Sequence, residues 1–307
     1  MRGPSRFAVI DVGTNSVKFH IGENAADGTW SAVVDRADVT RLGEGIERDG
    51  RISADAIGRT AAAIAAMVTE AKALGARAIA AVGTAGLRMA ANRQEVLDAI
   101  RSRAGVDVEV ISGEEESRLA FLGLRQGLDL GRGLLVVFDT GGGSSQFTFG
   151  RGERVEDRFS VNVGAVRYTE RFGLAGVVAP DVLATLRQTI SADLSRLDGR
   201  PRPGTLVGMG GAVTNLTAVK LGLVTYDPEA VQGTTLDGAE IDRQIELYRG
   251  RDAEARRSIP GLQKKRAEVI LAGACIVRTI MEKLERDRFT ASDRGLRHGV
   301  LTERFGA

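Results

Sequence analysis

Cysteine, histidine, tryptophan and proline are all scarce in this 307-residue chain, and each scarcity removes a class of function. The single cysteine, Cys275, lies in the apolar run VILAGACIVRTI, so no disulfide framework is available. A reducing compartment and a buried, inert thiol are the expectation. The two histidines, His20 and His298, stand far apart with no cysteine or carboxylate at metal-ligand spacing near either. Each is expected to be structural, which disfavours a zinc site or a histidine-based triad. With one tryptophan in the chain, base stacking of the single-strand-binding kind is poorly supported. No apolar stretch is long enough to span a bilayer, and MRGPSRFAVID leads into a strand-like run without the apolar core of a signal peptide. A soluble, cytoplasmic protein is therefore expected. Acidic and basic residues, 40 and 42, nearly cancel at net +2, so overall charge predicts no nucleic-acid partner. The many arginines still leave room for a local basic surface facing an anionic ligand.

What the chain has is alternation. Strand-like runs (FAVID, AIAAV, VDVEVI, LLVVFD, TLVGM) alternate with helical stretches such as Ala54 to Leu74, which Ser53 can cap and Gly75 can end. This is an α/β chain. No Pro-rich or Gly/Ser linker separates its parts, and its length suits two domains. Two internal echoes organise it. IDVGTNSVKF (Ile10 to Phe19) lines up with FDTGGGSSQF (Phe138 to Phe147), and AVGTAGLR (Ala81 to Arg88) with LVGMGGAV (Leu206 to Val213), in the same order. They imply two homologous α/β halves with a boundary near Gly131.

Each leading motif reads as a β-hairpin with an Asp before a glycine turn. Three successive glycines, Gly141, Gly142 and Gly143, cost backbone entropy and are explained if the main chain must approach a ligand and aim N–H groups at an anion. Ser144 and Ser145, with Thr14, Asn15 and Ser16 in the partner loop, put short polar side chains where phosphate oxygens would lie. Asp11 and Asp139 occupy matching places and suit Mg²⁺ (or Mn²⁺) bridging phosphates, although either could be a metal-free structural residue. The strand-to-helix turn carrying Gly208, Gly210 and Gly211 favours an anion at a helix start. In ISGEEESRLAFLG, Ser112 and Glu115 have capping-box spacing, leaving Glu116 to orient and deprotonate a water. The alternative, that Glu114 to Glu116 only complement the helix dipole, stays open at this level. Arg88 follows a glycine turn and could reach a phosphate. Arg249, Arg251, Arg256, Arg257, Lys264, Lys265 and Arg266 form a basic run suited either to a polyanion or to a solvated face.

With RLGEGI, GAVRYTERF, IPGLQKKRAEVILAGA and SDRGLRHGVL added in order, the chain resembles the exopolyphosphatase and guanosine pentaphosphatase (Ppx/GppA) family of the actin-like ATPase superfamily. The resemblance implies α/β architecture of two duplicated actin-like (ribonuclease H-like) domains with an interdomain cleft. Domain I would span 1–130, completed by a C-terminal helix at about 293–307, and domain II 131–292. It implies Glu116 as catalytic base, and phosphate or metal contacts from the loops carrying Asp11, Asn15, Ser16, Arg88, Asp139, Gly141 to Ser144 and Gly208 to Gly211. The family pattern D-I-G-G-G-S-T-E is altered here at Thr140, Ser145 and Gln146, and the chain resembles the short class of members. The implied activity is Mg²⁺-dependent hydrolysis of the terminal phosphoanhydride of inorganic polyphosphate. Alternatives are hydrolysis of the 5′ γ-phosphate of guanosine pentaphosphate, polyphosphate or alarmone binding without catalysis, and, ranked lowest, sugar-kinase-like ATP use. Expected partners are polyphosphate or guanosine pentaphosphate as substrate and a second copy of the chain as a homodimer, with no nucleic acid and no membrane.

Overall fold

The computed structural model describes residues 5–25, 30–125, 128, 131, 133–151 and 154–306. Its contacts divide the chain into two units, Met1–Leu124 with Leu296–Ala307, and Arg125–Gly295. The boundary expected at 130/131 falls in a stretch where only residues 128 and 131 are described.

Among the described residues eleven strands form two sheets. In the first unit β1 (Ser5–Val12), β2 (Ser16–Asn24), β3 (Trp30–Val39), β4 (Ala76–Gly83) and β5 (Glu109–Val110) lie in the order β3-β2-β1-β4-β5. In the second, β6 (Leu134–Thr140), β7 (Ser145–Arg151), β8 (Arg154–Val161), β9 (Thr205–Met209), β10 (Thr235–Asp237) and β11 (Arg288–Ala291) lie in the order β10-β11-β9-β6-β7-β8. Read from the hairpin side, both run as three antiparallel strands followed by two parallel ones, and the second sheet adds β10 antiparallel to β11 at its far edge. The duplication inferred from two short echoes therefore extends to five strands of each sheet. Parallel pairing explains why β1, β4, β6 and β9 read as apolar runs rather than alternating ones: crossover helices cover such strands.

The Ala54–Ala73 helix is capped as its sequence requires, Ser53 Oγ accepting from the Ala56 N–H at 3.2 Å, and Gly75 follows at φ +75°. The second unit buries Phe138, Phe147, Phe159 and the Ile270–Lys283 helix in one core. Cys275 is fully buried there, and desolvation pushes its thiol up to about 12. No helix among the described residues is long and apolar enough to cross a membrane.

The Leu296–Phe305 helix returns to the first unit, packing Leu296, Val300 and Leu301 on Val9, Val82 and Leu119. Gly299 lets it approach closely, since a Cβ there would run into the Leu119 carbonyl. Its polar side gathers residues that lie far apart in sequence. His20 faces Asp35 across β2 and β3, and the helix adds Arg297 and His298 to the same spot. Sequence distance hid this grouping, because register and a long-range helix contact create it. Arg297 holds Asp35 with two bonds, Nε to Oδ1 at 2.6 Å and Nη2 to Oδ2 at 3.1 Å. Burial alone would raise the Asp35 pKa; the charge of Arg297 and the polar contacts from His20, His298 and Arg297 outweigh it and hold the carboxyl well below the usual range. Burial, reinforced by Arg297, pushes His298 down to about 3, so it is neutral at pH 7.

Candidate active site

The two hairpin tips are built alike. Gly13 donates to the Ser16 carbonyl at 3.1 Å and Gly141 to the Ser144 carbonyl at 3.0 Å, so the tips are Thr14-Asn15 and Gly142-Gly143. A second layer of backbone ties each tip from behind. The Thr14 and Asn15 carbonyls accept from Gly43 (2.8 Å) and Arg41 (2.9 Å). The Gly141 and Gly142 carbonyls accept from Ala165 (3.0 Å) and Val166 (2.9 Å), at the start of the Ala165–Phe172 helix. No peptide bond among the described residues is cis, so in each planar unit the N–H points opposite its C=O. The amides of Asn15, Gly142 and Gly143 are therefore aimed away from the backing segment. RLGEGI and GAVRYTERF, read from sequence only as family landmarks, are these backing segments. Gly164 is required there, since a Cβ would collide with the Gly142 carbonyl.

None of Gly141, Gly142 and Gly143 has a φ in the left-handed region. Thr14 and Asn15 carry side chains at the matching tip of the first unit. The glycines of the second tip are therefore not there for a left-handed backbone.

In the first unit the second echo reaches the loop: a Cβ on Gly86 would lie 3.2 Å from Thr14 Cα. Arg88, in the short Ala85–Met89 helix, donates from Nη1 to Glu116 Oε2 at 2.8 Å and to the Ile111 carbonyl at 2.9 Å. Glu116 is 8% exposed in the first turn of the Gly113–Leu124 helix. The residue read as a phosphate ligand and the residue read as the base are thus an ion pair. Ser112 Oγ accepts from the Glu115 N–H at 3.1 Å as the capping box predicts, but the Glu115 carboxylate turns to Arg118 at 2.7 and 2.9 Å.

Asp11 and Asp139 are both buried, yet they differ. The β1–β2 register places Lys18 opposite Asp11, and its ammonium lies 3.0 Å from Oδ2. The same register puts Gln146 opposite Asp139. Gln146 Nε2 donates to Ser144 Oγ at 2.6 Å and Ser160 Oγ at 3.2 Å. Lys18 was missed by sequence reasoning, although counting back across the hairpin finds it.

Asp139 lies against the glycine turn. A Cβ on Gly210 (φ +92°) would strike the Asp139 carboxylate and come 2.6 Å from the Thr140 carbonyl. Gly211 opens the Gly211–Leu221 helix, and its absent side chain leaves room for the Arg266 guanidinium. Gly208 has a different duty. It lies within β9, where a Cβ would meet Phe138 Cζ at 2.6 Å, so packing explains it. Ser145 is also turned inward: fully buried, it donates to the Val163 carbonyl at 2.7 Å. Its inward hydroxyl keeps Ser145 from lining the tip beside Ser144.

The basic run does not form a continuous track. Arg256 is fully buried and donates to the carbonyls of Tyr248, Leu174, Ala267 and Gly176. Arg249 and Arg257 pair with Glu246 and Glu254 one helical turn earlier. Arg266 is buried against the glycine turn, and Lys264 and Lys265 remain exposed.

Residues 9–306 match the model of the Ppx/GppA phosphatase family. The chain is 29% identical over 319 aligned positions to exopolyphosphatase 2 of Mycobacterium tuberculosis, covering 98% of this chain and 99% of that one. A Ppx/GppA family member of Aquifex aeolicus is 31% identical, with TM-score 0.81 and coverage of 98% and 97%. An exopolyphosphatase from Cytophaga hutchinsonii superposes at TM-score 0.90 with 24% identity, covering 98% and 97%, a likeness of fold alone. Sheets, loops and family match agree, and the chain belongs to the Ppx/GppA phosphatase family.

Proposed function

We propose that this protein is an exopolyphosphatase that hydrolyses the terminal phosphoanhydride of inorganic polyphosphate and releases orthophosphate. The observation that carries the reading is the pair of hairpin tips whose carbonyls are tied back, leaving amides to meet phosphate oxygens. Asn15 supports it: its Nδ2 is buried and has no hydrogen-bond partner among the described residues. A donor left so costs about 1–3 kcal/mol, which a phosphoryl oxygen would recover. The relative named exopolyphosphatase 2 aligns along its full length, in keeping with this substrate.

Phosphoryl transfer asks mainly for positioning and neutralisation of charge. Glu116 takes the proton of the attacking water, and Arg88, bonded through Nη1, fixes the carboxylate's orientation while its other nitrogens bind a phosphoryl oxygen. Asn15 and Ser16 in the first unit, and Gly142 and Gly143 in the second, each bind phosphate oxygens. Asp11, Asp139 and Ser144 all offer hard oxygen donors that suit Mg²⁺ or Mn²⁺; the Lys18 ammonium 3.0 Å from Asp11 Oδ2 offsets part of that carboxylate's charge, and Gln146 across from Asp139 brings no cation, so the cation is assigned to the Asp139 side. When bound there, it would offset charge on the bridging phosphates. A cytoplasmic location fits such a substrate and the single buried thiol.

Dispersal of the basic run removes the sequence argument that favoured a polymer over guanosine pentaphosphate. Phosphate release should therefore be measured from long polyphosphate, short polyphosphate, guanosine pentaphosphate and ATP, each with Mg²⁺ and with EDTA. Fastest Mg²⁺-dependent release from polyphosphate is expected. Release from guanosine pentaphosphate alone would reassign the substrate, and tight binding of polyphosphate without release would make this a binding protein.

A further inference from the structure

We propose that His20, Asp35 and His298 form a second metal site, selective for a borderline d-block dication such as Zn²⁺, that pins the Leu296–Phe305 helix to β2 and β3. Nδ1 of His20 lies 3.4 Å and Nε2 of His298 lies 3.3 Å from the same oxygen, Oδ2 of Asp35. For metal–ligand distances of about 2.0–2.1 Å, the edge of a tetrahedron is about 3.3–3.4 Å. Two of the three edges are thus already in place, and all three ligand atoms lie within 4.8 Å of one another.

A second observation points to a missing ligand. Nδ1 of His20 is buried without a hydrogen-bond partner among the described residues, which an imidazole nitrogen avoids unless something else uses its lone pair. Around this trio Arg297 donates to both oxygens of Asp35, Nε to Oδ1 at 2.6 Å and Nη2 to Oδ2 at 3.1 Å, orienting the carboxylate so that Oδ2 faces the histidines with a further lone pair. Two imidazoles and one carboxylate suit zinc or its neighbours, whereas Mg²⁺ prefers oxygen donors. The site therefore differs in ligand chemistry from the Asp139 position, and it stands or falls independently of the phosphatase reading.

The test uses the full chain, stripped with a chelator and titrated with Zn²⁺ in excess Mg²⁺ against a chromogenic competitor. One Zn²⁺ equivalent per chain is expected, with an upward shift in Tm that saturates at that equivalent. His20→Asn and His298→Asn should each lose it, while Asp139→Asn should keep it. X-ray absorption of the zinc-loaded wild type, which needs no variant to fold, should show two imidazole scatterers. No stoichiometric uptake, absence of imidazole scattering, or loss of the equivalent in Asp139→Asn would overturn the site.

Discussion

The two hairpins share one backbone but solve charge and contact differently. In the first unit the tip carries Thr14 and Asn15, and its aspartate is neutralised by Lys18 at 3.0 Å. In the second the tip is Gly142-Gly143, and the residue across from the aspartate is the neutral Gln146. Duplication has thus been split into two tasks: the first loop offers side-chain donors, and the second offers backbone amides beside an aspartate that faces a neutral glutamine across the hairpin. The first unit also holds the Arg88–Glu116 pair. The corresponding stretch of the second is the Gly210-Gly211 turn against Arg266.

The largest effect should come from removing chemistry that only the first unit possesses. Glu116→Gln is expected to lower kcat for phosphate release by about 10²–10⁴-fold, the usual worth of a general base, with an unchanged melting curve. A rate within a factor of about three of wild type would remove Glu116 from the mechanism.

The next test breaks the aspartate comparison. Asp139→Asn should raise the Mg²⁺ concentration for half-maximal rate by about tenfold or more, equivalent to about 1.4 kcal/mol. Asp11→Asn should leave that concentration nearly unchanged, because Lys18 already occupies the carboxylate. Equal shifts in the two variants would mean the loops are not differentiated.

How much of this was visible in the sequence follows from where each signal is stored. Two echoes revealed the repeat because glycine turns are local, and the strand order of both sheets then followed the repeat. The Ser53 cap and the Ser112 cap were equally local. Lys18 is one step further, needing the hairpin register. His20, Asp35 and His298 were out of reach, since the helix bearing His298 joins β2 and β3 only in the fold. The basic run misled for a related reason. Charge is counted along the chain, whereas Arg256 spends its guanidinium on four buried carbonyls.

Exchanging the residues across from the aspartates sharpens the contrast further. Gln146→Lys would put an ammonium beside Asp139, as in the first loop, and should weaken Mg²⁺ activation while leaving the fold intact. Lys18→Gln should instead act on stability. It strands the buried Asp11 carboxylate, costing about 1–2 kcal/mol in urea unfolding, the upper range of 1–3 being discounted because the lysine side chain is 23% exposed.

The smallest effect is the most diagnostic for the first tip. Asn15 Nδ2 is a buried donor with no hydrogen-bond partner among the described residues, so the folded state carries its desolvation penalty. Asn15→Ala removes the donor along with its penalty and should leave stability unchanged or raise it by up to about 1 kcal/mol, while KM for polyphosphate increases. Opposite signs for stability and substrate affinity distinguish a residue kept for a ligand from one kept for the fold. If Asn15→Ala destabilises the protein and leaves KM alone, the amide belongs to the hairpin's architecture, and the second unit's bare amides must hold the phosphate chain without it.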